Sequence, residues 1–333
     1  MRRLLVVMLS LGAIWGSYWV VGSTAMEKGL RNWIDARADE GWVAEYASLE
    51  TQGFPNRFDT TFLDLQLADP QTGVAWSAPF FQILTLSYSP NHIIAVWPRT
   101  QTIASPYQRI TIESAEMKGS VVFEPDTALA LDRSTIVLDR FRLVSNAGWD
   151  AAVERGQLST RQTPGQTDTH DIAFEALGFR PADQVRRQLD PLGALPETVE
   201  TLKIDMTMGF DAPWDRYAIE DARPQITDLD LKLVQATWGN LDLRLAGDLT
   251  VDEAGNPEGR IVVKATNWRE MLAMAQASGL VPAEIAPTVE NALTLLAAMS
   301  GPPETIDAPL SFKNGLVAFG PFPLGRAPRM VIR

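Results

Sequence analysis

Cysteine is absent from this chain. Disulfides, zinc–thiolate sites, iron–sulfur clusters and thiol nucleophiles are excluded with it. The absence does not report a redox compartment, since an oxidising space permits disulfides without requiring them. Histidine is almost missing as well: His92 and His170 are the two, far apart. A histidine-based triad needs a nucleophile, a base and an orienting acid brought together. His92 sits in the apolar run Asn91-His92-Ile93-Ile94 and His170 in a polar loop between Thr169 and Asp171, so neither is singled out. No Walker loop, dinucleotide fingerprint or nucleophile elbow is present. Gly320–Gly325 is filled with proline, phenylalanine and leucine. Proline lacks the N–H that cradles phosphate, so this segment reads as a tight terminal turn.

Positive charge is in deficit: 29 Lys and Arg against 41 Asp and Glu give −12. With no basic patch and no base-stacking motif, nucleic acid is excluded as a partner. A repeat of fixed period is also lacking. The carboxylates fall mostly on the polar parity of strands. Asp228-Leu229-Asp230 offers two carboxylates, where a divalent cation takes about six or more oxygens. It reads as a solvated sheet face that discourages edge pairing. No catalytic residue, metal or cofactor is expected.

An apolar amino terminus is what the chain does have. Arg2 and Arg3 precede an uncharged run from Leu4 to Met26, which as a helix reaches about 30–35 Å and crosses a hydrocarbon core. Trp15, Tyr18 and Trp19 cluster towards its far end, where amphipathic rings favour the interface. The arginines put the start in the cytoplasm and the bulk outside. Ser23-Thr24-Ala25 fits a signal-peptide cleavage site, but the run exceeds the usual apolar length of about 7–15 residues. That length favours an uncleaved membrane anchor, and both readings export the rest. From Met26 to Asp39 a helical stripe of Leu30, Trp33, Ile34 and Ala38 predicts continuation of the helix, docking onto the first strands.

Beyond Trp42 the period changes to two. Leu63, Leu65 and Leu67 alternate with Asp64 and Gln66; Leu84, Leu86 and Tyr88 with Ile83, Thr85 and Ser87. The same holds for the runs 202–208, 228–233 and 241–245. Each predicts a strand with one apolar and one more polar face, hence antiparallel sheet. Turn chemistry stands at Gly53-Phe54-Pro55-Asn56, Asp69–Gly73 and Asp252–Pro257. Helices are expected over 182–189, over 268–278 with Asn267 as N-cap and Gly279 as stop, and from Pro287 to about Met299, ended by Gly301-Pro302-Pro303. The fold class is therefore mainly β with a few helices (α+β). A transmembrane helix leads into one or more large curved antiparallel sheets, with the helical pair near 267–299 packing on or capping the sheet. The divisions read as 1–26 anchor or signal peptide, 27–145 first β-rich half and 146–333 second β-rich half. Among the tryptophans, Trp97, Trp238 and Trp268 are candidates either for lining a ligand groove or for plugging sheet ends.

Four stretches carry a family resemblance: Gly53-Phe54-Pro55-Asn56-Arg57-Phe58; Ser89-Pro90-Asn91 with Trp97-Pro98; Trp238-Gly239-Asn240-Leu241 running into Gly247-Asp248-Leu249 and Gly255–Gly259; and Asn314-Gly315 with Gly320–Gly325. They punctuate nearly the whole chain, which resembles an alphaproteobacterial domain of unknown function, number 2125. The resemblance implies a single-pass inner-membrane protein facing the periplasm. In style the chain is also similar to AsmA-like envelope proteins, whose long sheets are thought to hold lipid; its exported part is much shorter. The function expected is a non-enzymatic, membrane-anchored envelope protein with an apolar sheet face for lipid or a hydrophobic partner. A structural or assembly factor binding other envelope proteins is the alternative, and a periplasmic hydrolase a third.

Overall fold

The computed structural model describes residues 1–220, 222–279, 281–300 and 302–332. The chain is mainly β, with a large antiparallel sheet, an apolar N-terminal helix and helices beside the sheet. It divides into two compact units: Met1–Pro125 with Ile136–Gly148, and Asp126–Thr135 with Trp149–Arg333.

The first unit opens with α1 (Arg2–Asp39), followed by β1 (Val43–Glu45), β2 (Ser48–Gln52), β3 (Arg57–Asp69) and β4 (Val74–Leu86). Next come β5 (Ser89–Val96), β6 (Thr100–Ala104), β7 (Arg109–Glu113), β8 (Glu116–Phe123) and β9 (Leu131–Ser145). The long β3–β4 hairpin is the spine. β1 and β2 share the other edge of β3. β4 then divides its own outer edge, pairing β5 through Gln82–Leu86 and β6 through Ala75–Ser77. β5 continues to β8, and β6 to β7 and then β9.

Leu30 and Ile34 of α1 pack over Leu49, Phe62 and Leu65. Burial of a side chain like Ile34 is worth about 1.5–3 kcal/mol, which seats the helix on the sheet. Polar groups of α1 also close the edge of β2: the Glu27 carboxylate accepts the Thr51 N–H at 2.7 Å, and Arg31 donates to the Leu49 carbonyl at 3.1 Å. Open strand edges invite foreign pairing, and this one is guarded. Trp33, expected on the buried stripe, is instead exposed with Arg37 over its ring.

Two alternations break in the first unit. Asp64 has φ 49°, and while the pairing keeps one register from Leu63↔Phe80 to Leu65↔Ala78, the buried parity changes there. Leu63 therefore turns outward while Leu65 stays buried with Phe62. In β4 the inward parity is Ile83, Thr85 and Ser87 rather than the leucines, and Tyr88 is exposed.

The second unit is an up-and-down run in which each strand pairs with the next. Its strands are β10 (Asp150–Gln162), β11 (Thr169–Arg180), β12 (Val199–Phe210), β13 (Ile226–Trp238), β14 (Leu241–Val251) and β15 (Pro257–Thr266). β16 (Thr305–Lys313), β17 (Leu316–Phe319) and β18 (Phe322–Arg326) complete it. α2 (Asp183–Leu189) and a short α3 (Tyr217–Glu220) sit in connections. α4 (Trp268–Ala277) and α5 (Ala286–Ser300) lie between β15 and β16. The helical pair stands where the sequence predicts it, with two changes. Asn267 takes a left-handed φ of 59°, and its side chain donates to the Asn240 carbonyl instead of capping α4. Gly301, first residue of the expected stop, lies outside the described residues. A bulge between Leu231 and Val234 moves Leu233 opposite Asp205 on the polar side, away from Leu229 and Leu231.

Candidate functional site

Strand pairing turns separate alternations into one surface. Across β10 to β16 the register aligns Leu158, Phe174, Ile204, Val234, Leu245, Val263 and Ala308 in a single row. Parallel rows on the same face carry Ala176, Leu202, Ala236, Leu243, Ala265 and Ile306 to one side, and Ile172, Met206, Leu231, Ile261 and Leu310 to the other. At about 4.8 Å between strands, the seven strands of the central row make it about 29 Å long. The opposite face reads Glu175, Lys203, Gln235, Arg244, Lys264 and Asp307 along its own row. The two faces thus separate apolar from charged side chains across the whole width.

Cover over the apolar face is uneven. α4 and α5 bring Trp268, Leu272, Leu296 and Ala297 against Ala265, Ile306 and Ala308. At the other end of the strands Met330 packs on Leu229, Leu249 and Ile261. That terminal segment is held by Met330 N–H to the Gly255 carbonyl and by the Gln225 amide bonded to Ile332. Towards β10–β12 the cover thins: Ile172, Phe174, Leu202 and Ile204 are half-buried and Leu158 is 42% exposed. These half-exposed apolar side chains are contiguous over β10–β12.

One titratable group stands on this face. His170 is buried against Phe210, itself edge-on to Trp214, and lies 3.3 Å from the Thr160 hydroxyl. Burial pushes its imidazole below the ordinary value, against the pull of Asp132 and Asp171. Asp171, next in sequence, points to the polar face. There its carboxylate accepts from Thr207 at 2.7 Å and from Arg161 at 3.1 Å, with Lys232 at 3.5 Å. The Thr207 bond, helped by Arg161 and Lys232, holds this carboxyl below its ordinary range. Asp171, Arg161 and Lys232 line a polar hollow of about 370 Å³ with Arg133, Ser159 and Asp205. Both Asp171 oxygens are engaged, so the cluster stiffens the sheet and offers no spare base.

The three tryptophans singled out by sequence fall in separate places. Trp97, in the first unit, leans on Phe81 at 5.4 Å and on Gly119, and lines a cavity of about 490 Å³ with Pro79, Phe80 and Met117. Trp238 ends β13, its indole N–H donating to the Pro196 carbonyl at 2.8 Å, which ties down the approach to β12. Trp268 is 2% exposed and donates to the Pro303 carbonyl at 3.1 Å. It belongs to the packing under α4 and α5 and faces no groove. His92, passed over by sequence, lies 2.9 Å from Ser120 Oγ. That is two members of a triad; no hydrogen bond or ion pair described for either residue involves a carboxylate. Among the described residues no cluster of three or more His, Asp or Glu side chains could hold a metal ion. The apolar rows were hidden from a reading of single strands, because only the register joins them.

Fold and face together define a β-rich protein with one apolar helix fit to span a membrane. Over residues 19–328 the chain matches a family described as "Uncharacterized protein conserved in bacteria (DUF2125)", and it belongs to that family. No curated protein and no solved structure matches it.

Proposed function

We propose that this chain is a non-enzymatic envelope protein, anchored by α1 with its start in the cytoplasm and its bulk in the periplasm, that holds lipid acyl chains on the apolar face of β10–β16. The supporting observation is the run of apolar rows, the central one about 29 Å long, covered at the α4–α5 and C-terminal ends and thinly covered at Leu158, Ile172, Phe174 and Ile204. One leaflet of a bilayer is about 15 Å of hydrocarbon, half of a core of about 30 Å, so the face exceeds the depth that acyl chains occupy there. Water against such a surface costs about 25 cal/mol per Å², a driving force that acyl chains relieve without specific polar contacts.

Lipid extraction and mass spectrometry of the full-length protein, purified from membranes, tests this. The wild type retains lipid, and Ile204→Asp, which puts a charge in the central row, loses most of it. Equal lipid in both proteins, or none in either, overturns the reading. Placement is tested separately by a Tyr107→Cys variant, since Tyr107 is 93% exposed. A membrane-impermeant thiol reagent labels it from outside once the outer barrier is opened, and fails to do so if the bulk is cytoplasmic.

A further inference from the structure

α1 is free of the rest of the chain only over its first part. From Trp15 onward the sheet is attached to it. The Trp15 indole donates to the Pro55 carbonyl at 3.0 Å, and the Trp19 indole to the Arg57 carbonyl at 2.8 Å. The Tyr18 hydroxyl donates to the Ser87 carbonyl. The Trp19 ring stands edge-on to Phe54 at 5.5 Å. At Gly22 a Cβ would lie 2.5 Å from the Phe58 ring, so glycine is what lets the helix come this close.

These attachments fix a depth. The charges of Arg2 and Arg3 mark the near boundary of the hydrocarbon, which then begins about Leu4. At about 1.5 Å per residue, Trp15 lies about 16 Å beyond Leu4 and Trp19 about 22 Å beyond it. The hydrocarbon core is about 30 Å thick, and tilting the helix only reduces the depth each residue reaches. The Gly53–Asn56 turn is therefore pinned to a part of α1 that has not yet left the core. Its composition suits that place: Gln52 to Asn56 carries no charge, Phe54 is 61% exposed, and the neighbouring turn holds Tyr88, 64% exposed. Exposed aromatics of this kind are at home at and just below the headgroups.

We infer that the Gly53–Asn56 turn and Tyr88 enter the bilayer leaflet farther from Arg2, giving the first unit a second, shallow seat in the membrane beside α1. The inference rests on reading α1 as a bilayer span and on nothing about the apolar face of the second unit. The sheet is consequently not hung on a flexible stalk; its β2–β3 end sits in lipid.

The chain has no cysteine, so single-cysteine variants report one site each. Full-length Phe54→Cys, Tyr88→Cys, Tyr107→Cys and Leu11→Cys carry an environment-sensitive fluorophore in phosphatidylethanolamine–phosphatidylglycerol vesicles containing chain-spin-labelled lipid. Tyr107 is the dry-side reference. A Cβ on Gly73 would touch Pro106, which puts the Tyr107 turn beside the far end of β3, about 40 Å from Arg57 at about 3.3 Å per residue. Emission from positions 54, 88 and 11 is expected to fall at least about two-fold, because those labels share depth with the quencher. Emission from position 107 stays unchanged. Quenching at 11 with none at 54 or 88 overturns the shallow seat and leaves the span standing. No quenching at 11 overturns the span, and the seat with it. Tyr88→Cys guards against loss of the Phe54–Trp19 contact in the first variant.

Discussion

The two units solve the same problem in different ways. Each has a sheet with one apolar face that water must not reach. In the first unit that face is met by α1, whose Leu30 and Ile34 lie on Leu49, Phe62 and Leu65 and whose Glu27 and Arg31 finish the edge of β2. In the second, α4, α5 and the C-terminal segment cover the ends of β13–β16, while β10–β12 keep half-exposed Phe174, Ile204 and Leu158. The part of the first sheet under α1 is closed, and the β10–β12 part of the second is half-open. On the reading proposed above, the closed part accounts for stability alone and the half-open part is where an occupant would sit.

The largest effect that tests this contrast is a truncation at equivalent positions. Phe62→Ala and Trp268→Ala remove buried rings from closed regions, each expected to cost about 3–5 kcal/mol. Phe174→Ala removes a half-buried ring from the open region, with an expected cost of about 1–2 kcal/mol, since less area is returned to water. Denaturant unfolding of the detergent-purified proteins, followed by circular dichroism, measures all three. A Phe174→Ala midpoint shift as large as that of Phe62→Ala would show the second face to be as tightly closed as the first.

Much of this architecture was legible in the sequence. Period-two runs located β3, β4, β12, β13 and β14, and turn residues at Asp69–Gly73 and Asp252–Pro257 placed two hairpins where they occur. What escaped lies in relations between segments. The left-handed backbone at Asp64 and the bulge between Leu231 and Val234 send Leu63 and Leu233 to the other face. Local backbone changes of this kind leave no trace in the alternation. Trp268 looks like any other tryptophan beside a cap, and only α4 and α5 together show that it is enclosed. The apolar face itself is a property of register, since seven strands must be aligned before Leu158 and Ala308 belong to one row.

Smaller shifts come from charge, one on each side of the second sheet. His170 stays neutral when folded at pH values where the unfolded chain has begun to bind a proton, because burial lowers its pKa from the ordinary 6.5. The unfolded state then holds more protons, so stability falls as pH drops below 6.5 towards the lower folded value. His170→Gln is expected to flatten that part of a midpoint-against-pH curve; an unchanged slope refutes the assignment. Asp171 lies on the polar face and titrates lower. Its contribution is present above 3.8 and disappears as pH falls from there through its depressed value. At neutral pH Asp171→Asn weakens the bonds to Thr207, Arg161 and Lys232 and is expected to cost about 1 kcal/mol.

The smallest change in stability discriminates most sharply between an occupied face and a merely imperfect one. Leu158 begins the central row and is 42% exposed, so Leu158→Ser removes few internal contacts. Its unfolding midpoint is expected to move by less than about 0.5 kcal/mol, as surface substitutions do. If acyl chains lie across Leu158, Phe174 and Ile204, the same substitution places a hydroxyl against hydrocarbon. Burying an unpaired hydroxyl costs about 1–3 kcal/mol, a loss charged to the lipid complex and not to the fold. Retained lipid per mole of protein should therefore drop several-fold while the midpoint of the lipid-free protein holds still. Val262→Ser is the matching control: it is also partly exposed, but lies one residue off the row, on the opposite face of β15. If both variants lose lipid alike, the contact is with a nonspecific detergent-like coat. If only Leu158→Ser loses it, the apolar side of the second sheet is where the lipid sits.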